Sequence, residues 1–187
     1  MTVPSFGAFT ARAPGRFLKL TSEVEIFPPF NVGATPTQGK KYQALYDTGA
    51  THSVISPRVV QDLNLPSIGA RTVGVGGGNI ATTSHLVNIT LPNRVGVAMW
   101  TVAKLVIPSG EDAIIGMDIL GLGDFAVTHH DGKTTFSFCV PSRKCIDFVA
   151  EINDMKAKST AHIPSRNGPC HCGSGKKYKS CHGRRNA

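Results

Sequence analysis

Acidic residues are scarce. Twelve Asp and Glu stand against twenty Lys and Arg in 187 residues, a formal net charge of +8, and no acid precedes Glu23. Aromatic residues are only 7% of the chain, beside 20 Gly and 12 Pro. That balance favours short strands and many turns over long helices. No apolar run approaches the roughly 18 residues that cross a bilayer, so the sequence predicts a soluble, cytoplasmic protein with no membrane partner. It also lacks a His-Glu-x-x-His helix and a Gly-x-Ser-x-Gly elbow, which leaves metal-dependent and serine hydrolase chemistry without support. At this length the chain can bury one domain's core and carry an appendage.

The positive charge is uneven. Residues 151–187 hold eight Lys or Arg against Glu151 and Asp154, a net of +6, while residues 1–150 hold only +2. A basic tail attracts nucleic acid, anionic lipid or an acidic protein, and charge alone does not choose among them. Three of the five cysteines, Cys170, Cys172 and Cys181, crowd the last eighteen residues beside histidines. That pattern suits metal binding in a reducing compartment better than a disulfide scaffold. Cys139 and Cys145 read as free thiols, with a disulfide between them the alternative in an oxidising compartment.

Taken in order, residues 1–14 lack periodicity and read as a flexible, loosely basic lead. Leu18, Leu20, Val24 and Ile26 alternate as a half-buried strand should before Pro28-Pro29 ends it. Lys41–Tyr46 is a strand, Thr51–Ile55 a second, and Ser56-Pro57 opens a short helix through Val59, Val60 and Leu63. Arg71–Thr83 reads as a hairpin with a glycine-rich tip. It is no dinucleotide fingerprint, because extended residues, not a helix, follow the glycines. Strands Leu86–Leu91 and Val95–Ile107 flank Pro92-Asn93, and Asp131-Gly132 marks a further hairpin within Phe125–Val140. Trp100 is expected in the core or at a subunit contact. Asp118 is expected to cap a short helix running through Leu122, and His129 and His130 to be surface residues.

The stretch Ala44-Leu45-Tyr46-Asp47-Thr48-Gly49-Ala50 runs an apolar strand into one carboxylate. A carboxylate delivered from a buried strand is costly. The cost becomes intelligible if two such groups share a proton, because like charges roughly 3 Å apart cannot both ionise near neutrality. Such a dyad takes a proton from water and gives one to a carbonyl oxygen, hydrolysing a peptide bond without a metal or covalent intermediate. Thr48 can brace the opposite turn, and Gly49 lets the backbone approach closely.

With Ala113-Ile114-Ile115-Gly116 and the intervening Gly74-Val75-Gly76-Gly77-Gly78, this stretch resembles the retropepsin-like aspartic proteases. The resemblance, over roughly residues 15 to 140, implies a mainly β, closed-barrel fold with one or two short helices. It implies Asp47, Thr48 and Gly49 as the catalytic turn and Gly74, Val75, Gly76, Gly77 and Gly78 as the substrate-covering flap. Ala50, Ile114, Ile115 and Gly116 would support the turn. Viral members place an acid after the turn and an arginine after the second motif's glycine, where this chain has Thr51 and Met117. No second Asp-Thr-Gly or Asp-Ser-Gly exists in the sequence. One chain therefore cannot build the dyad, and a homodimer is expected, each copy supplying Asp47 to a peptide or protein substrate.

Residues 151–168 read as a short helix and linker between a protease domain at 15–150 and a module at 169–187. In that module three thiolates and an imidazole, Cys170, Cys172, Cys181 and His182, satisfy a tetrahedral zinc ion with no open position, hence a structural site, and His171, lying between two thiolates, is the less favoured fourth ligand. Gly173, Gly175 and Gly183 can supply the sharp turns. The Cys-x-Cys and Cys-His pairs around Gly-Ser-Gly-Lys-Lys-Tyr resemble the SEC-C motif. That resemblance implies docking to a protein partner, and Lys176, Lys177, Lys179, Arg184 and Arg185 suit an acidic one. Nucleic acid fits less well, with Tyr178 as the lone stacking aromatic. A non-catalytic peptide-holding adaptor with the same fold and tail is the alternative function.

Overall fold

In the computed structural model, residues 7–31, 33–35, 38–161 and 165–184 are described. They fall into two compact units, Met1–Lys144 and Cys145–Ala187. In the first, strands with alternating buried residues are arranged around a main apolar cluster, with a smaller one at Val54, Ala103 and Ile107. Strand β2 (Thr21–Phe27) buries Val24 and Ile26, and β3 (Lys40–Tyr46) buries Tyr42, Ala44 and Tyr46. A valine or isoleucine side chain buried in this way contributes roughly 1.5–3 kcal/mol.

The strand order is β2, β3, β8 (Ala113–Ile115), β4 (Val54–Ile55), β7 (Val95–Lys104), β6 (Gly78–Leu91), with β6 pairing back onto β2. That return pairing, Glu25–Phe27 against Asn88–Thr90, closes a six-stranded barrel. Strand β5 (Gly69–Val75) stands outside the ring as the partner of the first half of β6. The expected separate hairpin strand and Leu86–Leu91 strand are thus one 14-residue strand serving both. A register shift between Val87 and Ile89 leaves Asn88 buried, where its amide bonds to the Phe30 carbonyl and the Met99 N–H.

Helix α1 (Pro57–Asp62) starts where Ser56 accepts from the Val59 N–H, with proline in the first turn, as the sequence predicts. Helix α2 (Met117–Leu120) is a single turn whose N-cap is Gly116, not Asp118. The backbone at residue 116 already turns the chain into the helix, which frees the Asp118 carboxylate for other partners.

A second sheet contradicts the structureless lead for residues 7–12. They form β1 (Gly7–Arg12), paired antiparallel with β10 (Thr135–Val140), which in turn pairs with β9 (Asp124–Thr128). Residues 1–6 of that lead lie outside the described residues. Phe9, Phe136 and Phe138 are buried, and the Tyr46 ring lies 4.8 Å from that of Phe136 and 5.7 Å from that of Phe9. The sheet thus packs on the strand that ends at Asp47. Burial pushes the Tyr46 phenol up to about 12, against a smaller opposing effect of the Ser22 hydroxyl, so it stays neutral.

In the second unit, α3 (Phe148–Ala161) begins where Asp147 accepts from the Val149 and Ala150 N–H groups at 2.9 and 3.0 Å. Residues 162–164, within the expected linker, are outside the described residues. No helix of the described residues is long and apolar enough to cross a membrane.

Candidate active site and metal centre

Strand β3 delivers Asp47 where its pairing with β8 ends. Ala44, Leu45 and Tyr46 run parallel to Ala113, Ile114 and Ile115, and the Asp47 N–H then donates to the Ile115 carbonyl at 3.0 Å. Two apolar strands buried side by side thus fix the position of an acid that is itself half-buried. The chain turns at once: the Ala50 N–H donates to the Asp47 carbonyl at 3.2 Å, and the Gly49 N–H donates to the Asp47 Oδ1 at 2.8 Å. A carboxylate so held keeps its second oxygen for other work. Thr48 is exposed, available to a partner outside the chain.

Beneath this turn the second motif closes in. The Met117 N–H donates to the Ala50 carbonyl at 2.8 Å. Gly116 is buried so tightly that a Cβ would lie 2.8 Å from the Ala50 oxygen and 2.8 Å from the His52 carbonyl carbon. The structure therefore brings Asp47, Thr48, Gly49, Ala50, Ile114, Ile115 and Gly116 together. The hairpin of Gly74, Val75, Gly76, Gly77 and Gly78 turns between Val75 and Gly78, which pair across it. Gly78 has φ +125°, a backbone that a side chain would strain, and no atom lies near a Cβ at Gly76 or Gly77.

Sequence reasoning missed one network in this site. The Asp118 carboxylate receives the Ser53 N–H, the Ser53 hydroxyl at 2.7 Å, the Trp100 Nε1–H at 3.0 Å and the Ile119 N–H at 3.0 Å. Ser53 Oγ in turn accepts from the Gly116 N–H at 3.0 Å. Ser53 is fully buried. No short-range motif marks this set, since its members come from the loop before β4, from β7 and from the helix turn α2 with its N-cap. Trp100 is half-buried and packs against the core, in keeping with one expected role, and its indole nitrogen adds the bond that the sequence did not suggest.

The four residues expected to hold a metal converge as well. The ligand atoms of Cys170, Cys172, Cys181 and His182 all lie within 4.8 Å of one another. Cys170 and Cys172 Sγ are 3.4 Å apart, Cys172 and Cys181 Sγ 3.6 Å, and His182 Nδ1 sits 3.2 and 3.4 Å from Cys170 and Cys181. A tetrahedron with metal–sulfur bonds of ~2.3 Å has edges of about 3.8 Å. Four soft and borderline ligands at this spacing fit such an ion. The Cys170 thiol is drawn down to about 7, first by the Cys172 backbone N–H and then, against desolvation, by that of His182. His171 lies outside the cluster, its ring 5.0 Å from that of His182.

The loop around the ligands is drawn tight by backbone bonds from Cys170 N to the Lys176 carbonyl and from Tyr178 N to the Gly168 carbonyl, both 2.8 Å. Gly173 and Gly175 take the left-handed conformation at φ +69°. Gly183 serves differently: a Cβ there would lie 2.6 Å from the Tyr178 ring. Lys176, Lys177, Lys179 and Arg184 are exposed around this loop, and Arg185 lies outside the described residues.

Comparison with known proteins agrees with both halves. Residues 34–119 match the aspartyl protease family model, and residues 166–184 match the SEC-C motif. Among solved structures, the EIAV protease complexed with the inhibitor HBY-793 is 28% identical, with a TM-score of 0.41 over 55% of this chain and 86% of that one. A retropepsin-like aspartic protease from Rickettsia conorii is 13% identical, with a TM-score of 0.43 over 75% of this chain and 98% of that one. The simian foamy virus (mac) protease is 18% identical, at 0.36 over 55% and 92%. The chain carries, in this order, a segment that matches the aspartyl protease family model and one that matches the SEC-C motif.

Proposed function

We propose that the protein is an aspartic endopeptidase that works as a homodimer. The observation that carries this reading is a half-site: one carboxylate, Asp47, held by the Gly49 N–H at the end of a buried strand, in a chain with no second such motif. Two copies related by a two-fold axis bring two Asp47 groups together across an isologous interface. The pair holds one proton between its carboxylates. The ionised member takes a proton from a water, the resulting hydroxide attacks the peptide carbonyl carbon, and the protonated member gives its proton to the carbonyl oxygen. Collapse of the tetrahedral diol breaks the C–N bond, with the amine leaving protonated.

Thr48 braces the partner's turn, and the Gly74–Gly78 tip folds over an extended peptide, pairing with its backbone and excluding water. No metal takes part in this chemistry. The tail's zinc is structural, held by Cys170, Cys172, Cys181 and His182, and supplies most of that module's folding free energy. Its exposed Lys176, Lys177, Lys179 and Arg184 dock an acidic segment of a protein partner or substrate.

The test is cleavage of an unbiased peptide mixture by wild type and Asp47→Asn, with sizing in solution. The expected result is a dimer that cleaves, and a variant of the same size whose kcat is lower by at least about 10³-fold. Equal cleavage by the variant would remove the proposed chemistry. Peptide capture without cleavage by either would identify the adaptor instead.

A further inference from the structure

Asp118 is a carboxylate with five hydrogen-bond contacts from four donors and, among the described residues, no ion pair. Such a group is held by dipoles instead of a cation, an arrangement that is directional and intolerant of displacement. Its donors lie on different elements. Ser53 closes the loop that begins at Asp47, Trp100 belongs to β7, and Ile119 belongs to α2. Ser53 Oγ also accepts from the Gly116 N–H, the glycine packed under the turn. The loop from Asp47 to Ser53 is thereby fastened at both ends and in the middle: Asp47 N to the Ile115 carbonyl, Met117 N to the Ala50 carbonyl, and Ser53 to Asp118.

We propose that Asp118 is a positioning residue for the Asp47 turn, acting through Ser53, with Trp100 as its third anchor. It touches no reacting atom. Removing its charge while keeping its shape breaks the set whichever way the new amide is turned. One carboxylate oxygen serves Trp100 and the other serves the Ser53 hydroxyl and Ile119, so an NH2 group would face an existing donor on one side. The turn at Asp47 then loses its far anchor while the barrel strands keep theirs. The catalytic half of this inference rests on the protease reading above, and the structural half does not.

The experiment uses the full chain as wild type, Asp118→Asn, Ser53→Ala and Ser53→Thr. Amide exchange is measured over residues 47–53 and, as an internal standard, over Val87–Leu91. In parallel the emission of Trp100, the single tryptophan, is recorded, and kcat and KM are determined on a cleaved peptide. The expected result is exchange over 47–53 faster by roughly 10-fold in Asp118→Asn and in Ser53→Ala, with the standard unchanged. Ser53→Thr, which keeps the hydroxyl and the N–H, stays like wild type. The Trp100 emission shifts in Asp118→Asn, and kcat falls about 10- to 100-fold with little change in KM, as a displaced catalytic group predicts.

Unchanged exchange over 47–53 in Asp118→Asn, or an unchanged kcat in that variant, would overturn the proposal. If Asp118→Asn fails to fold, the two serine variants decide, since equal behaviour of Ala and Thr would overturn it. If the wild type cleaves nothing, the exchange data still decide the positioning role, and the missing activity counts against the protease reading alone.

Discussion

Gly116 has ordinary φ, so its requirement is space. A methyl group there meets the Ala50 oxygen and the His52 carbonyl carbon, both backbone atoms of the turn that follows Asp47. Backbone cannot swing aside as a flexible side chain can, so Gly116→Ala must push the turn upward. Overpacking of this kind costs about 1–3 kcal/mol. The expected outcome is a lower thermal midpoint and, because the displaced atoms carry Asp47, a larger loss of kcat than stability alone explains. A variant with wild-type melting and wild-type kcat would contradict the packing described. At this scale the sequence was most legible. Asp47, the glycine packed beneath it and the Cys170, Cys172, Cys181 and His182 cluster each stand in short motifs, and the structure brings the members of each together. The Ser53, Trp100 and Asp118 set was illegible because its members are 65 and 18 positions apart and each has an ordinary local role.

Elements were legible where a pattern is complete within one segment. Ser56-Pro57 announced α1 because capping is a contact of three residues. Strand β1 did not announce itself: it buries Phe9 and half-buries Gly7 and Ala11, and its partner β10 lies some 128 positions away. Only pairing across the whole domain defines it.

The end of the first unit is tied by a similar device. Asp124, the first residue of β9, accepts from the Ser142 hydroxyl and from the Arg143 and Lys144 N–H groups. These bonds, the Ser142 one foremost, hold its carboxyl below the ordinary range. A carboxyl depressed on folding adds stability at neutral pH that is lost as pH falls through its folded value. Amide protection of Arg143 and Lys144 should therefore hold from neutrality down to about 4, the ordinary Asp value, and fall below it. Asp124→Asn should lack that protection even at pH 7. Protection that begins to fade near neutrality in wild type would contradict this.

On the scale of the whole molecule, two units meet folding by different means. The barrel buries a continuous apolar cluster. Among its described residues the tail module buries only Cys170, so on the proposed reading its four convergent Cys and His side chains, holding zinc, stand in for a core. Chelation should accordingly abolish the near-ultraviolet signals of Tyr178 and the protection of residues 168–183 while leaving the barrel's melting transition in place. A tail that keeps its protection without metal would contradict the structural role of the ion. The charge asymmetry read from the sequence follows the same division, since Lys176, Lys177, Lys179 and Arg184 are exposed in or next to the Cys170–His182 segment, in a tail with few acids to oppose them.

The central claim is that one Asp47 is half of a reacting pair. A fixed amount of wild-type protein is mixed with an equal amount of Asp47→Asn, diluted to allow the subunits to exchange, reconcentrated, and assayed for peptide cleavage. If each active site needs Asp47 from both copies, random pairing leaves half of the wild-type chains in mixed dimers, and activity falls to about one half of the unmixed control. Activity that stays at the control value, with exchange verified by a mass label, would mean that a single chain completes the site and would contradict the account.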